Sequence, residues 1–571
     1  MNLSTKQKAV VDHVDGALLV KAEPGTGKTR VLTERVKRLL SLNKRGRILA
    51  LTLSNVAAEK IRSRLDSDTE VVASIGRVRI ETIHSFCRDL VQSRGYLIGL
   101  LPDVSSFESE NDRVAILREA IADAIADEPL YGAVLGKEQK PEEIFKKYLS
   151  LISEQKRSLI SPELCDFAEP FPSIYRKYND VLLSQNAIDF DDILFFAYRI
   201  LTENLAVAKL YNSIYHYICI DESQDLNKAQ YNIINALCCS NFNNIMMVGD
   251  ENQAIYSFNG SSSKYMSNLF VHKFKPTIYI LDDNFRSAKQ IIKFSNSLTG
   301  NTEDISKYFY EGELSVNSFA NELSEAQAIC AMIENLISNG HKDIENSLRY
   351  DDFAIIARNK YVFSQIENEF TAKKIPFYYK KTPSGIICET TFMKAFDLIL
   401  RLIMNPMDLY HRQILYKISS QQFSEASNIN DKQTSIEKIL QPTKFAWLNS
   451  ALPHLSVGAV FNFNKALATL KENMPSDLSD DDRYLLEKDI DEWRKHWNKY
   501  KSQISRENRS LISFRNAISL GKTQEIDAKS GVVLLTAHMS KGLEFEVVFV
   551  IGLTEGTFPD YRAVNSINGE A

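Results

Sequence analysis

Short, almost wholly apolar runs rich in β-branched residues recur along the chain, at 17–21, 48–53, 217–220, 245–248, 353–357, 532–536 and 547–551. Runs this short, with no polar face, predict strands buried on both sides of a parallel sheet. Each is followed by a loop and then by a helical pattern such as 30–40, and that alternation predicts an α/β architecture. The strands are unevenly spread. Residues from about 90 to 185 and from about 381 to 528 read as helical and charged, with amphipathic stretches at 392–403 and 484–501. The pattern predicts two α/β cores, each interrupted by a helical insertion.

Length and composition narrow this picture. At roughly 100–200 residues per domain, 571 residues call for three or four compact units. The chain is 44% hydrophobic and 25% charged, ordinary for a globular protein. A net charge of −5 excludes coating duplex DNA by bulk charge, although a local basic groove is compatible with it. The seven cysteines are scattered without a C-x-x-C pair, as in a reduced cytoplasmic protein. The first residues lack a signal-peptide core, and no run of ~18 apolar residues predicts a membrane span.

The chemistry begins after the first strand. Ala22-Glu23-Pro24-Gly25-Thr26-Gly27-Lys28-Thr29 leads into a helix and has the P-loop pattern, with Ala in place of the first Gly. Gly25 and Gly27 let backbone N–H groups wrap phosphates, and the helix adds its positive end. Lys28 is placed to reach the β- and γ-phosphates of ATP, and Thr29 to ligate Mg²⁺. Asp221-Glu222 closes the run 217–220, where a Mg²⁺-holding acid and a water-activating acid belong. Gly249-Asp250-Glu251-Asn252-Gln253 closes the run 245–248. Gln253 is a candidate γ-phosphate sensor, and Tyr256 and Phe258 offer faces for stacking bases.

In this order the motifs resemble those of the UvrD/Rep-like helicases of superfamily 1, over nearly the whole chain. Leu3 with Gln7 is similar to the adenine-reading Q motif. The P-loop with Arg30 is similar to motif I, Thr52-Leu53-Ser54-Asn55 to motif Ia, and Thr82-Ile83-His84-Ser85-Phe86 to motif Ib. Asp189-Phe190-Asp191-Asp192-Ile193-Leu194 resembles a segment that follows the family's first insertion. Asp221–Asp225 resembles motif II, Gly249–Gly260 motif III, and Asn284-Phe285-Arg286-Ser287 motif IV. The segment from Thr536 to Phe545 resembles motif V, and a family-like Glu555-Gly556-Thr557-Phe558-Pro559 follows.

The resemblance implies two RecA-like P-loop cores: 1A (1–88 and 186–282) with helical insertion 1B (89–185), and 2A (283–380 and 529–571) with helical insertion 2B (381–528). It implies an ATP hydrolase working as a single-stranded DNA translocase and DNA helicase, 3′ to 5′. Lys28, Glu222, Gln253 and Arg286 would be catalytic, and Thr29 and Asp221 would hold the metal. Gln7, the residues Ala22, Glu23, Pro24, Gly25, Thr26, Gly27, Lys28, Thr29 and Arg30, together with Phe285, Arg286 and Glu544, would hold ATP. Thr52, Asn55, Thr82, His84, Phe86, Tyr256, Phe258 and His538 would contact single-stranded DNA or a single/double-strand junction. Leu53 and Phe258 stand where the family usually has Phe and Trp, so stacking is expected to be weaker or rearranged. No segment similar to motif VI follows motif V, so core 2A is expected to lack its C-terminal part. The alternative reading is a DNA- and nucleotide-sensing regulatory subunit of a nuclease or defence complex, as in Gabija-type systems, with weak or no unwinding. In either reading the partner supplies any nuclease.

Overall fold

The computed structural model describes residues 3–42, 46–69, 71–135, 141–239, 242–300, 308, 310–380, 385–419, 432–441, 443–455, 461–524 and 530–559. The chain divides into two compact units: residues 1–285 with 385–524, and residues 286–384 with 525–571. The expected limits of the second insertion, 381 and 528, lie outside the described residues.

The first unit carries β1 (Leu18–Ala22), β2 (Arg47–Thr52), β3 (Val78–Thr82), β4 (Ser105–Phe107), β5 (Ala187–Asp189), β6 (Tyr215–Ile220), β7 (Ile245–Gly249) and β8 (Thr277–Leu281). Six of them form one sheet in the order β3-β2-β6-β7-β1-β8, and every pairing is parallel. The apolar runs have no polar face because both faces are covered. Leu18 and Val20 pack into one core with Val31 and Val36 of the helix Lys28–Leu42. Leu19, between them, faces the other core with Leu90 and Ile234.

Sequence reasoning placed the four strongest strands of this unit to within two residues and missed four others. β3 reads VRIET, and its Arg79 and Glu81 form an ion pair, so charge hid a sheet strand. β8 is a sheet-edge strand with exposed Ile278 and Ile280. β4 and β5 are three residues each and pair with one another at the root of the first insertion, which was expected to be mostly helical with no strand signal of comparable strength. A buried ion cluster fastens that insertion to the core. Lys156 lies on the helix Pro141–Arg157 and donates to Asp189 at 2.9 Å, with Asp192 at 2.7 Å. The Tyr178 hydroxyl also donates to Asp189, at 3.1 Å.

Residues 385–524 interrupt the second core in sequence yet belong to the first unit. Their helices enclose a core of their own around Trp493, Phe463, Phe514 and Tyr500. Polar contacts join them to the rest of the unit: Asn405 donates to the Gln185 carbonyl at 2.7 Å, and Lys499 pairs with Glu59 at 2.6 Å. His411 is buried between two acids. Its Nδ1 lies 2.6 Å from Asp408, and its Nε2 lies 3.5 Å from Asp112 on the first insertion.

The second unit holds β9 (Phe353–Ala357), β10 (Phe377–Tyr379), β11 (Val532–Thr536) and β12 (Val547–Val550), in the order β10-β11-β9-β12. All three pairings are parallel. Its core joins Phe353, Ile355 and Leu534 to Ile329 and Ile333 of the helix Glu322–Asn339 and to Phe370 of the helix Ser364–Ala372. β9 and β11 have the bounds expected, and β10 was too short to be read.

Burial alone would lower the His411 pKa, but Asp408 and Asp112 outweigh it and raise the value. A raised basic group contributes stability that is complete below its unfolded value, about 6.5, and is lost as pH climbs through the folded value. The stability gap between the protein and its His411→Asn variant should therefore be larger at pH 6 than at pH 8.5 in urea melts. A gap that does not change with pH would contradict the assignment.

Candidate nucleotide site and nucleic-acid track

In the first unit, parallel β1, β6 and β7 deliver their following loops to the same edge of the sheet. β1 ends in Ala22 and the P-loop follows. Gly25 and Gly27 adopt left-handed φ of 76° and 82°, and the helix starts at Lys28. The loop is tied internally: the Thr26 hydroxyl donates to the Glu23 carbonyl at 2.8 Å, and Glu23 N–H donates to Leu281 at 3.2 Å. Gln7 caps the first helix and donates to the Thr26 carbonyl at 3.0 Å, so it braces the P-loop from behind. Arg30 follows in the first turn of the helix, half-buried.

Lys28 Nζ donates to the Ala22 carbonyl at 3.1 Å and lies 3.7 Å from Asp250. The Thr29 hydroxyl donates to Asp221 at 3.1 Å. Asp221 is fully buried, and that burial, with Glu222 beside it, pushes its pKa up to about 7. A buried carboxylate short of counter-charge, facing a threonine hydroxyl, is the oxygen donor set that Mg²⁺ takes. Glu222 follows with a left-handed φ of 53°, unusual for a residue with a side chain. Gln253 donates to Asp250 at 2.7 Å. The structure thus brings Lys28, Thr29, Asp221, Glu222 and Gln253 to one edge. It also places Asp250 among them, a contributor that sequence reasoning quoted without a role; an acid closing an apolar run was its signal.

The expected DNA contacts divide into surface and frame. Phe258 is 66% exposed and packs against Tyr256 with ring centroids 6.1 Å apart. His84 stacks on Phe190 at 4.3 Å, and burial lowers its pKa to about 4, so the ring is neutral. Asn55 donates its amide to the Leu520 carbonyl at 2.5 Å. Thr52, Thr82 and Phe86 are buried: Thr52 bonds the Ser54 carbonyl, Thr82 caps the helix Ile83–Arg94, and Phe86 lies in the core. These three support the frame beneath the surface. Phe285 is 53% exposed, and its N–H donates to Gly25 at 2.8 Å.

In the second unit, Arg286 and Glu544 form an ion pair at 2.7 Å. His538 lies on the short helix Ala537–Ser540 after β11, its pKa lowered by partial burial and by Arg358.

The UvrD/REP helicase N-terminal domain matches residues 3–275, and the UvrD-like helicase C-terminal domain matches 279–426 and 433–570. The chain belongs to the UvrD/Rep helicase family. Among relatives of this family, it is 26% identical to a probable DNA helicase II homolog of Mycoplasma capricolum, covering 99% of this chain and 81% of that protein. It is 26% identical to the ATP-dependent DNA helicase Rep of Buchnera aphidicola, covering 100% and 90%. The ATP-dependent DNA helicase PcrA of Staphylococcus aureus is 25% identical, covering 99% and 79%. The chain is built on α/β units with parallel sheets, and no helix among the described residues is long and apolar enough to cross a membrane.

Gly25→Ala tests the P-loop directly. Its φ of 76° and the nearby Asn284 amide leave no comfortable place for a Cβ. The left-handed conformation alone costs a non-glycine residue about 1–2 kcal/mol, so ATP affinity should fall roughly tenfold or more. Titration with a fluorescent ATP analogue reads this out. Unchanged affinity would show that nucleotide binds elsewhere.

Proposed function

We propose that this chain is an ATP-driven motor on single-stranded DNA, a DNA helicase that moves 3′ to 5′. The observation that carries the reading is the convergence of Lys28, Thr29, Asp221, Glu222 and Gln253 on one edge of one parallel sheet, linked by hydrogen bonds and the Lys28–Asp250 ion pair. Membership of the UvrD/Rep family and relatives named ATP-dependent DNA helicases support the choice of substrate and fuel.

The residues divide the work as follows. Lys28 turns from Asp250 and Ala22 to the β- and γ-phosphates. Thr29 and Asp221 would hold Mg²⁺, which would supply charge neutralisation at the phosphates. Glu222 orients the attacking water and accepts its proton. Gln253 and the aromatics lie on one loop after β7, with Tyr256 three residues beyond Gln253. A change at the γ-phosphate is thereby handed directly to a base-stacking surface. In the second unit, Arg286 forms an ion pair with Glu544.

The test is ATP hydrolysis with and without oligothymidylate. DNA should stimulate turnover strongly, and Glu222→Gln should lower it roughly 10²–10⁴-fold while leaving ATP binding intact. Binding of ATP and DNA without stimulated turnover would defeat the motor and favour a sensing subunit.

A further inference from the structure

Gln224 is fully buried two residues beyond the proposed water-activating acid. Its side-chain amide bridges the ends of two strands. Nε2 donates to the Glu222 carboxylate at 2.6 Å, and Oε1 accepts the Asp250 N–H at 3.1 Å. The orientation of that amide is not interchangeable. A backbone N–H only donates, so the oxygen must face Asp250; a carboxylate only accepts, so the nitrogen must face Glu222. The place is reserved for this side chain. A Cβ on Gly249 would run into Gln224 Oε1, so glycine at the end of β7 is what admits the amide. The neighbouring Ser223 hydroxyl donates to the Val248 carbonyl at 3.0 Å and fixes the turn from the same side.

We propose that Gln224 is the positioning residue of the hydrolytic step: it fixes the Glu222 carboxylate and couples it to the Asp250–Gln253 loop. Glu222 stands on a left-handed backbone with its side chain only half-buried, so its rotamer needs an external tie. Gln224 supplies that tie from a wholly buried anchor. The other end of the same amide grips Asp250, which also contacts Lys28 and Gln253. The carboxylate that receives the water proton and the loop that senses the γ-phosphate therefore move as one piece. In the step itself, the water oxygen bonds to the γ-phosphorus, the bond to the ADP oxygen breaks, and the proton passes to Glu222. Gln224 touches none of the reacting atoms and acts only through Glu222.

This inference rests on the reading of Glu222 as the water-activating acid, and a double-mutant cycle separates the two. DNA-stimulated ATPase is measured for the full chain and for Glu222→Gln, Gln224→Met and the double variant, with oligothymidylate as the DNA. Gln224→Met keeps the volume and removes both hydrogen bonds. It should lower kcat roughly tenfold with KM for ATP nearly unchanged, the signature of an interaction used in the transition state. In the Glu222→Gln background it should change residual turnover less than about twofold. Gln224→Asn keeps the amide but is one methylene too short to span both partners, and should show the same split if Gln224→Met does not fold. Losses that multiply in the double variant, or KM and melting temperature that fall together with kcat, would overturn the proposal and leave a structural residue. Full turnover in Glu222→Gln alone would overturn the reading beneath it instead.

Discussion

Strands that all run the same way open every strand-to-loop exit on one edge of their sheet, and the chemistry of the first unit depends on that constraint. The P-loop, Asp221, Glu222 and the Asp250–Gln253 loop come from residues 22–30, 221–222 and 250–253. They meet only because β6, β7 and β1 are parallel neighbours. A single antiparallel pairing would send one of these loops to the far side. Burial on both faces is the cost of such a sheet, and it explains the apolar runs at 18–20 and Ile245–Gly249.

The polar groups at this edge are half-buried to fully buried, so each gains from a partner. Lys28 and Asp250, Thr29 and Asp221, Gln224 and Glu222 pair with one another. In the proposed motor, nucleotide would exchange one set of contacts for another. That exchange would be the means by which occupancy alters the loop carrying Tyr256 and Phe258. Elsewhere the same economy fastens the helical parts to the core: Lys156 between Asp189 and Asp192, His411 between Asp408 and Asp112.

The legible parts of this molecule were those written in local pattern. β9 and β11 could be read to the residue because their apolar runs end sharply, and the P-loop because its spacing dictates its own backbone. β3 was hidden because Arg79 and Glu81 answer each other's charge, a pairing no window of sequence shows. Motif positions were legible but their depth was not: Thr52 and Phe86 lie in family-like segments, yet both face inward. Gln224 was written out in its motif, but its proposed role depends on the Asp250 N–H, 26 residues away just past the end of another strand. The attachment of residues 385–524 to the first unit was likewise invisible, because contacts such as Asn405 to Gln185 join distant positions.

The central claim is that ATP turnover at this edge moves the protein along a single strand. Stopped-flow fluorescence on oligothymidylates of increasing length, labelled at the 5′ end, tests it most directly. A 3′-to-5′ motor should reach the label after a lag that grows linearly with oligonucleotide length. A lag independent of length, with ATP still being hydrolysed, would contradict the account.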